Sequence, residues 1–313
     1  MRTIERAKRA LANPKLFARG FNRSIHRRFG HRSENPDGID VFDEDWDMLV
    51  VLDACRYDMF KSVNGLEGKL TSKTSKGSST VEWLKANFDN RDLTNTVYVT
   101  ANPQLERNKN NWSISLHRVI DVWLEDGWDE ETGTVLAETM TEAAIEAFDR
   151  YPNKRLVVHY MQPHYPFVRS DTKFDKEHLQ SLDGQGTGPE DENVWNQKFK
   201  GELSFSRKKL WSIYVDNLSY ALDHVETLLR AIPGKTVVTS DHGNYVGERA
   251  SPVPIREYGH PRGLYDDEVI KVPWLECNHE IRREIQTGMI DEKENDIESG
   301  VVADRLRQLG YKE

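Results

Sequence analysis

The sequence predicts an α/β fold, a three-layer sandwich in which helices cover both faces of a mostly parallel central sheet. Two observations support this prediction. Short, continuously apolar runs recur along the chain, as is typical of parallel strands that are buried on both faces. Between them lie longer segments with apolar residues at helical spacing, and strands that alternate with helices favour a parallel sheet.

The composition agrees with a folded chain and excludes several classes of protein. The 313 residues include 8 Trp, 11 Phe and 11 Tyr, which supply large apolar side chains for a core. The net charge of -9 argues against a nucleic-acid binder, which needs a basic face to displace counterions. Cys55 and Cys277 are too few for a disulfide framework. No run reaches the roughly 18 apolar residues of a membrane span, so we expect a soluble, cytoplasmic protein.

Residues 1–40 are predicted to form a separate basic, amphipathic arm. Residues 1–30 contain nine Lys or Arg and one Glu, a net charge of +8, which leaves -17 for the remainder of the chain. The apolar residues that recur at helical spacing are Phe17, Phe21, Ile25 and Phe29. Such a helix can make a peripheral contact with an anionic membrane, or it can dock on the body of the protein or on a partner subunit. The sequence leaves these alternatives open.

The body, residues 41–313, carries the alternating elements. Apolar runs predict strands at 48–52, 97–99, 156–158, 237–238 and 272–275. Helical spacing predicts helices over 81–88, 120–124, 135–148 and 212–232, with a short amphipathic helix over 301–309 at the end of the chain. The segment 170–206 is polar and weakly periodic, which predicts a long excursion near the functional face.

Polar residues follow two of the predicted strands directly. Asp53 follows the run 48–52, and Asp241-His242-Gly243 follows the strand at 237–238. Ligands bind outside the carboxyl ends of strands in open α/β sheets, and Asp oxygens and His nitrogens are good ligands for a divalent cation. An Asp at such a position can also be a helix cap. The pair Asp241 and His242 is the more informative signal, since Gly243 permits a sharp turn beside it.

A Gly/Ser loop, 75–79, runs into the predicted helix that starts near Val81. A hydroxyl at a helix N-terminus can cap the helix, and next to a metal it can serve as an activated nucleophile. Ser79 and Thr80 are the candidate hydroxyls. Lys76 in the loop and Arg56 after the first strand are candidates for clamping an anion, or they are solvated surface charges.

Histidines supply the remaining candidates. His159 and His164 lie in a segment after the third predicted strand, and two His at this spacing can serve a metal or an oxyanion. His260 lies in Tyr-Gly-His-Pro-Arg at 258–262, together with Arg262. A lone His is more often a satisfied core residue, so these residues gain meaning only in combination.

The combination resembles the alkaline phosphatase superfamily, in particular its sulfatase-like branch. The motifs are Asp53 after the first strand, Ser-Asp-His-Gly at 240–243, Pro-His-Tyr-Pro at 163–166 and the stretch Leu-Tyr-Asp-Asp-Glu…Val-Pro at 264–273. They occur in the order that this family has, and the similarity covers most of residues 47–313. The end of the chain, 305–311, is also similar to the end of many sulfatase-like chains.

The resemblance implies roles for individual residues. It implies that Asp53, Thr80, Asp241 and His242 hold one divalent cation (Zn, Mn, Ca or Mg) and that Thr80 is the nucleophile, with Ser79 as its rival. It implies that His164 binds the transferred group or protonates the leaving oxygen. His260 would be a substrate contact or a ligand of a second metal. His159, Arg56 and Arg262 are further candidate substrate contacts.

The sequence also departs from this family. Sulfatases convert a Cys or Ser in Cys-x-Pro-x-Arg or Cys-x-Ala-x-Arg to an aldehyde, and residues 55–59 do not fit that pattern. Gln162 stands where two-metal members often have Asp before Pro-His. The set Asp, Thr, Asp and His with one metal is most similar to the phosphoglycerol and phosphoethanolamine transferases, whose membrane spans are absent from this sequence.

Three functions fit these observations. The first is a metal-dependent hydrolase of sulfate or phosphate esters, on a small molecule, a glycan or another surface polymer. The second is a transferase that moves a phosphoryl- or sulfuryl-linked group between carbohydrates or lipids at a membrane surface. The third is an inactive binding module that keeps the fold, against which the intact set of ligands and nucleophile argues. The sequence does not specify the oligomeric state.

Overall fold

A computed structural model of the chain describes residues 14–124, 127–170, 194–291 and 299–310, with only the backbone described at Ser299. The first 13 residues of the predicted arm and residues 171–193 of the predicted excursion lie outside the described residues.

The elements alternate between helix and strand over most of this length. The strands are β1 Met48–Leu52, β2 Gly68–Thr74, β3 Arg91–Thr100, β4 Ile114–Asp121, β5 Arg155–Tyr160, β6 Thr236–Thr239, β7 Tyr245–Arg249, β8 Arg256–Gly259 and β9 Lys271–Cys277. The helices are α1 Pro14–His26, α2 Tyr57–Val63, α3 Thr80–Phe88, α4 Gln104–Asn108, α5 Ala137–Arg150, α6 Val194–Lys200, α7 Arg207–Ala231, α8 Asp267–Ile270 and α9 Ser299–Gln308. Short 3-10 turns cover Val41–Asp43 and Lys109–Asn111.

Seven strands form the central sheet in the order β2-β9-β6-β1-β5-β3-β4. The five neighbours from β6 to β4 are all parallel, while β9 runs antiparallel to both β6 and β2. β7 and β8 form a separate antiparallel hairpin. The predicted mostly parallel sheet is therefore confirmed, and each of the five predicted strands lies within a strand of this sheet.

The two faces of β1 lie in different hydrophobic clusters. Met48, Val50 and Leu52 pack in the cluster that contains the inner faces of α5 and α7. Leu49 and Val51 pack in the cluster that contains Trp83, Leu84 and Phe88 of α3. All five residues of β1 are buried, because helices cover the sheet on both sides. This arrangement is the predicted three-layer sandwich.

Two predicted elements differ in the structure. Residues 120–124 were expected to be helical, but Ile120 and Asp121 end strand β4, whose Arg118 and Ile120 pair with Val97 and Val99 of β3. A run of five residues is too short for periodicity to separate helix from strand, and pairing with a neighbouring strand decides. The helical spacing of the arm extends to Phe29, but α1 ends at His26 and Phe29 has a positive φ of 62°.

The predicted C-terminal helix is present as α9, and its Val302 and Leu306 are buried in the core. Among the helices that the structure describes, none is both long enough and apolar enough to cross a membrane.

Asp47 fixes the start of β1 to two other parts of the chain. Its carboxylate accepts hydrogen bonds from the backbone N–H of Lys235 at 2.8 Å and of Arg283 at 3.1 Å. Arg282 adds a bidentate contact, with Nε at 3.0 Å and Nη2 at 2.9 Å. The neighbouring Asp45 also pairs with Arg282, but its side chain is 62% exposed, whereas that of Asp47 is 1% exposed.

We predict that Asp47→Ala lowers the free energy of unfolding by about 1–3 kcal/mol, because it leaves the N–H groups of Lys235 and Arg283 without their acceptor. Asp45→Ala is the matched control, since it removes a carboxylate from the same arginine at an exposed position. It should cost at most about 1 kcal/mol. Urea denaturation measures both, and equal losses would contradict the role assigned to Asp47.

Candidate metal centre

The carboxyl ends of three adjacent strands meet at one buried point. Asp241 lies two residues beyond the end of β6, Asp53 directly follows β1, and His159 is the penultimate residue of β5. One possible ligand atom from each of Asp53, His159 and Asp241 lies within 4.8 Å of the others, and all three residues are buried. The topology thus brings together residues that are 188 positions apart at most.

Thr80 joins this group from the first position of α3. Its hydroxyl oxygen lies 2.8 Å from Oδ2 of Asp241 and 3.4 Å from Oδ2 of Asp53. The Nε2 atom of His242 is 3.3 Å from the same hydroxyl. Ser79 is also buried, but its hydroxyl has no hydrogen-bond partner among the described residues. Of the two candidate hydroxyls, it is therefore Thr80 that contacts both carboxylates.

Backbone N–H groups orient the carboxylate of Asp241. Its Oδ1 accepts from the N–H of Ala54 at 3.0 Å and from that of His242 at 2.8 Å. Ala54 has a φ of 59°, a left-handed conformation that is uncommon for residues other than Gly. This strained turn after Asp53 aims the Ala54 amide at Asp241 and so couples the two acidic residues through the backbone.

Gly243 is required for a different reason from the one that the sequence suggests. Its φ does not lie in the left-handed region. Instead, a Cβ atom at this position would collide with the backbone carbonyl oxygen of Glu268. The backbone of α8 therefore packs directly against the backbone after His242, which leaves no room for a side chain.

The tautomer of His242 follows from its contacts. Nδ1 lies 2.8 Å from the carbonyl oxygen of Gly243, which can only accept, so Nδ1 carries the hydrogen and donates. In the neutral ring, Nε2 then has a lone pair. That atom is 3.3 Å from both Oδ2 of Asp241 and the hydroxyl of Thr80. A backbone carbonyl that fixes the tautomer in this way is a common support of a metal-binding His.

His159 lies closer to the two carboxylates than the sequence suggests. Its Nδ1 lies 2.7 Å from the hydroxyl of Tyr98, while its Nε2 has no hydrogen-bond partner among the described residues. Nε2 lies 3.8 Å from Oδ2 of Asp53 and 3.9 Å from Oδ2 of Asp241. Burial lowers the pKa of His159 to about 4, so the ring is neutral at neutral pH. The sequence placed it among the substrate contacts, whereas here it faces the two carboxylates.

The donor set fits a divalent cation. Two buried carboxylates lie close together, and the described contacts of the Asp241 carboxylate are to two hydroxyls, two backbone amides and two imidazoles, none to Lys or Arg. Buried carboxylates without a countercharge are costly. Oxygen and imidazole nitrogen are ligands that suit Zn²⁺ and Mn²⁺. Asp53, Asp241 and His242, with Thr80 and His159 beside them, are thus able to hold a metal ion.

Two further histidines extend from this centre. The ring of His260 lies 4.4 Å from that of His242 and 5.1 Å from that of His164, measured between centroids. Burial lowers the pKa of His164 to about 4 and that of His260 well below its ordinary value. The Nδ1 of His164 donates to the carbonyl oxygen of Tyr165 at 2.6 Å. The structure thus brings together all four histidines that the sequence singled out.

The basic candidates have carboxylate partners already. Arg56 is buried and contacts Asp58 and Glu248, and Arg262 contacts Glu82 at 3.4 Å. Lys76 pairs with Asp40 at 2.8 Å. A substrate anion would have to share or replace these partners.

Burial raises the pKa of the Cys55 thiol well above its ordinary value, which leaves it without nucleophilic character.

Three supporting residues escaped the sequence analysis. Asn102 donates to Oδ2 of Asp53 at 2.7 Å, and it lies two residues beyond β3 just as Asp241 lies two residues beyond β6, so the same rule would have found it. Tyr98 lies inside β3, where only the fold reveals its contact with His159. Glu82 accepts from both the N–H and the hydroxyl of Ser78, at 3.1 and 2.8 Å, and so fixes the loop before Thr80.

Comparison with known proteins finds similar solved structures at low sequence identity. No protein-family model and no curated protein sequence matches the chain. Three solved structures similar to it are the C-terminal periplasmic domain of phosphoethanolamine transferase EptC from Campylobacter jejuni, a protein in the alkaline phosphatase superfamily from Vibrio parahaemolyticus and the lipoteichoic acid synthase LtaP from Listeria monocytogenes. Their sequence identities to the chain are 14%, 12% and 12%, and the TM-scores are 0.45, 0.44 and 0.44.

The similarity covers 73%, 90% and 85% of this chain and 77%, 69% and 72% of the three proteins, in the same order. One of the three is described as a protein in the alkaline phosphatase superfamily, the superfamily that the sequence resembles. At these identities and TM-scores, the activities of those proteins are not transferred to this one.

We predict that the wild-type protein binds a divalent cation and that Asp241→Asn abolishes this binding. A cation at 100 times its dissociation constant should stabilise the fold by about 2.7 kcal/mol. Thermal unfolding with Zn²⁺, Mn²⁺, Mg²⁺ or Ca²⁺, together with metal analysis after dialysis, measures the effect. Asp121→Asn is the matched control, because Asp121 ends β4 at the same sheet edge but outside the cluster. Equal metal content in wild type and Asp241→Asn would exclude this centre.

Proposed function

We propose that the protein is a metal-dependent hydrolase of phosphate or sulfate esters that acts through a covalent ester on Thr80. The observation that carries this proposal is the position of the Thr80 hydroxyl, within 3.4 Å of Asp241, Asp53 and His242 at once. A hydroxyl held between two carboxylates and an imidazole, at the first turn of a helix, is a strong candidate for an activated nucleophile.

When bound to Asp53, Asp241 and His242, a divalent cation supplies positive charge that lowers the pKa of the Thr80 hydroxyl and offsets the charge of the ester. The Thr80 oxygen attacks the phosphorus or sulfur atom while the bond to the leaving oxygen breaks. The hydroxyl of Thr80, held 2.8 Å from Oδ2 of Asp241, releases its proton to solvent. The departing oxygen takes up a proton from water.

In the second half-reaction, water attacks the same phosphorus or sulfur atom and the bond to Thr80 breaks. The attacking water gives up one proton to solvent, and the Thr80 oxygen takes up one proton from solvent, which restores the starting state. We assign His164 and His260 to the transferred group, since the ring of His260 lies next to the rings of both His242 and His164. We propose His159 as a further ligand or orienting group. Arg56 and Arg262 remain candidate substrate contacts.

We favour phosphate over sulfate as the ester. Cys55 in residues 55–59 neither fits the pattern from which sulfatases form their aldehyde nor has the exposure that a reactive thiol needs. Thr80 can accept either group, but it cannot supply the aldehyde. The natural substrate, a small molecule or a glycan, is left to experiment, as are the identity of the cation and a second metal.

A second candidate is transfer to an acceptor hydroxyl on a carbohydrate or lipid. The same Thr80 ester would then be attacked by that hydroxyl in place of water. The observation that favours it is the contact of Arg27, just beyond α1, with Glu82 of the helix that begins at Thr80. The basic arm therefore lies beside the nucleophile, where it is able to guide a surface-borne substrate. A cytoplasmic location and the exclusion of nucleic acid remain predictions.

We predict that Thr80→Ala lowers kcat by about 10³-fold or more, since it removes the atom that forms the covalent ester. Thr80→Ser should retain part of the activity because it keeps the hydroxyl. Release of nitrophenol from nitrophenyl phosphate, bis-nitrophenyl phosphate and nitrophenyl sulfate measures the activity and ranks the substrate classes. Intact-mass analysis of rapidly quenched reactions detects the added phosphoryl or sulfuryl group.

Ser79→Ala is the matched control, because it removes the neighbouring buried hydroxyl that lacks a described partner. It should leave kcat within a few-fold of wild type. Unchanged turnover in Thr80→Ala, with loss in Ser79→Ala, would move the nucleophile to Ser79. Absence of turnover on all three substrates in metal-loaded wild type would favour the binding-module alternative.

A further inference from the structure

Helix α1 docks on the body through its polar side. The side-chain amide of Asn22 is buried, donates to the carbonyl oxygen of Val253 at 2.9 Å and accepts from the N–H of Val253 at 2.8 Å. Arg19 reaches Glu257 with Nε at 2.9 Å, and its guanidinium lies over the ring of Phe199. His26 lies 3.0 Å from the carbonyl oxygen of Ser251. These side chains occupy one side of the helix.

The opposite side of α1 is apolar and faces outwards. Phe17 is 64% exposed, and the loop residue Phe29 beyond the helix is 77% exposed. The other exposed apolar residues of this side are Leu16, Phe21 and Ile25. An amphipathic helix on a globular protein normally buries its apolar side against the core. Here the orientation is reversed, so five large apolar side chains form a patch on the surface, which we call the α1 patch.

Basic residues flank the residues of the α1 patch in the sequence. Lys15 and Arg28 are exposed beside it. In the sequence, Arg2, Arg6, Lys8 and Arg9 precede the helix with Glu5 as the one acidic residue. An apolar side flanked by Lys and Arg is the pattern of helices that lie in the interface of an anionic bilayer. Each basic residue near such a surface adds attraction to anionic lipids.

We infer that the α1 patch docks on an anionic lipid surface. The charges of the arm favour lipid over a second copy of the chain, since pairing two patches would bring two segments of +8 together. The polar contacts of Asn22 and Arg19 hold the helix in place without using its apolar side. The inference does not depend on the proposed catalytic activity, because it rests on the surface of α1 alone.

Flotation with lipid vesicles tests the inference on the full chain. Vesicles of phosphatidylcholine with about one third phosphatidylglycerol should carry the wild type to the top of the gradient at low salt. Pure phosphatidylcholine vesicles, or about 0.5 M salt, should carry much less, because screening removes the charge attraction. The double variant Phe17→Ser/Phe21→Ser should reduce the fraction bound to anionic vesicles by about tenfold.

The matched control is Ile281→Ser/Met289→Ser, which removes two exposed apolar side chains elsewhere on the surface, where Met289 is 89% exposed. It should bind like wild type. Circular dichroism and thermal unfolding of both double variants should match wild type, since the replaced side chains are exposed. Size-exclusion chromatography with light scattering measures the oligomeric state of the wild type and of both double variants.

Three outcomes would overturn the inference. The first is wild type that does not float with anionic vesicles. The second is binding that Phe17→Ser/Phe21→Ser leaves unchanged. The third is an oligomer of the wild type that this variant dissociates without any lipid binding, which would make a second copy the occupant of the α1 patch.

Discussion

The centre of this molecule depends on one constraint, the meeting of two buried carboxylates at the carboxyl ends of β1 and β6. The strand order places Asp53 and Asp241 on neighbouring strands, so their charges share one small space. Hydrogen-bond donors around the two carboxylates stabilise them in this position. Ala54 adopts a left-handed conformation to offer its N–H to Asp241, Asn102 donates to Asp53, and the hydroxyl of Thr80 lies between the two.

The buried carboxylates at the two edges of the sheet have different partners. At the start of β1, the carboxylate of Asp47 accepts a bidentate contact from Arg282 and hydrogen bonds from two backbone amides. The charge of Asp47 is thus balanced by a residue of the chain itself. At the opposite edge of the sheet, the described contacts of the Asp241 carboxylate are with hydroxyls, backbone amides and the rings of His159 and His242. Among the described residues, an arginine lies against the buried carboxylate of Asp47, but none lies against that of Asp241. This difference supports our proposal that a cation from outside the chain binds at the site.

The sequence was sufficient to predict five of the seven strands of the sheet, because continuous apolar runs and the polar residues after them are local patterns. Asp53, Asp241 and His242 belong to such patterns, Thr80 belongs to a Gly/Ser loop that runs into a helix, and the structure brings the four residues together. His159 and Tyr98 lie within strands, and only the register of β5 beside β1 and β3 turns them towards the site. The left-handed conformation of Ala54 and the strand at 120–121 could not be predicted from the sequence for the same reason, since contacts distant in sequence impose both.

The basic arm illustrates the limit of amphipathic patterns. Spacing reveals that α1 has an apolar side, but it does not say which side meets the protein. The reciprocal hydrogen bonds of Asn22 and the contacts of Arg19 with Glu257 settle that question in favour of the polar side. The contact of Arg27 with Glu82, which in turn fixes Ser78 in the loop before Thr80, then connects this inverted helix to α3, the helix that begins at Thr80. A segment whose charge differs so strongly from that of the body is therefore packed against the body next to α3, with its apolar side exposed.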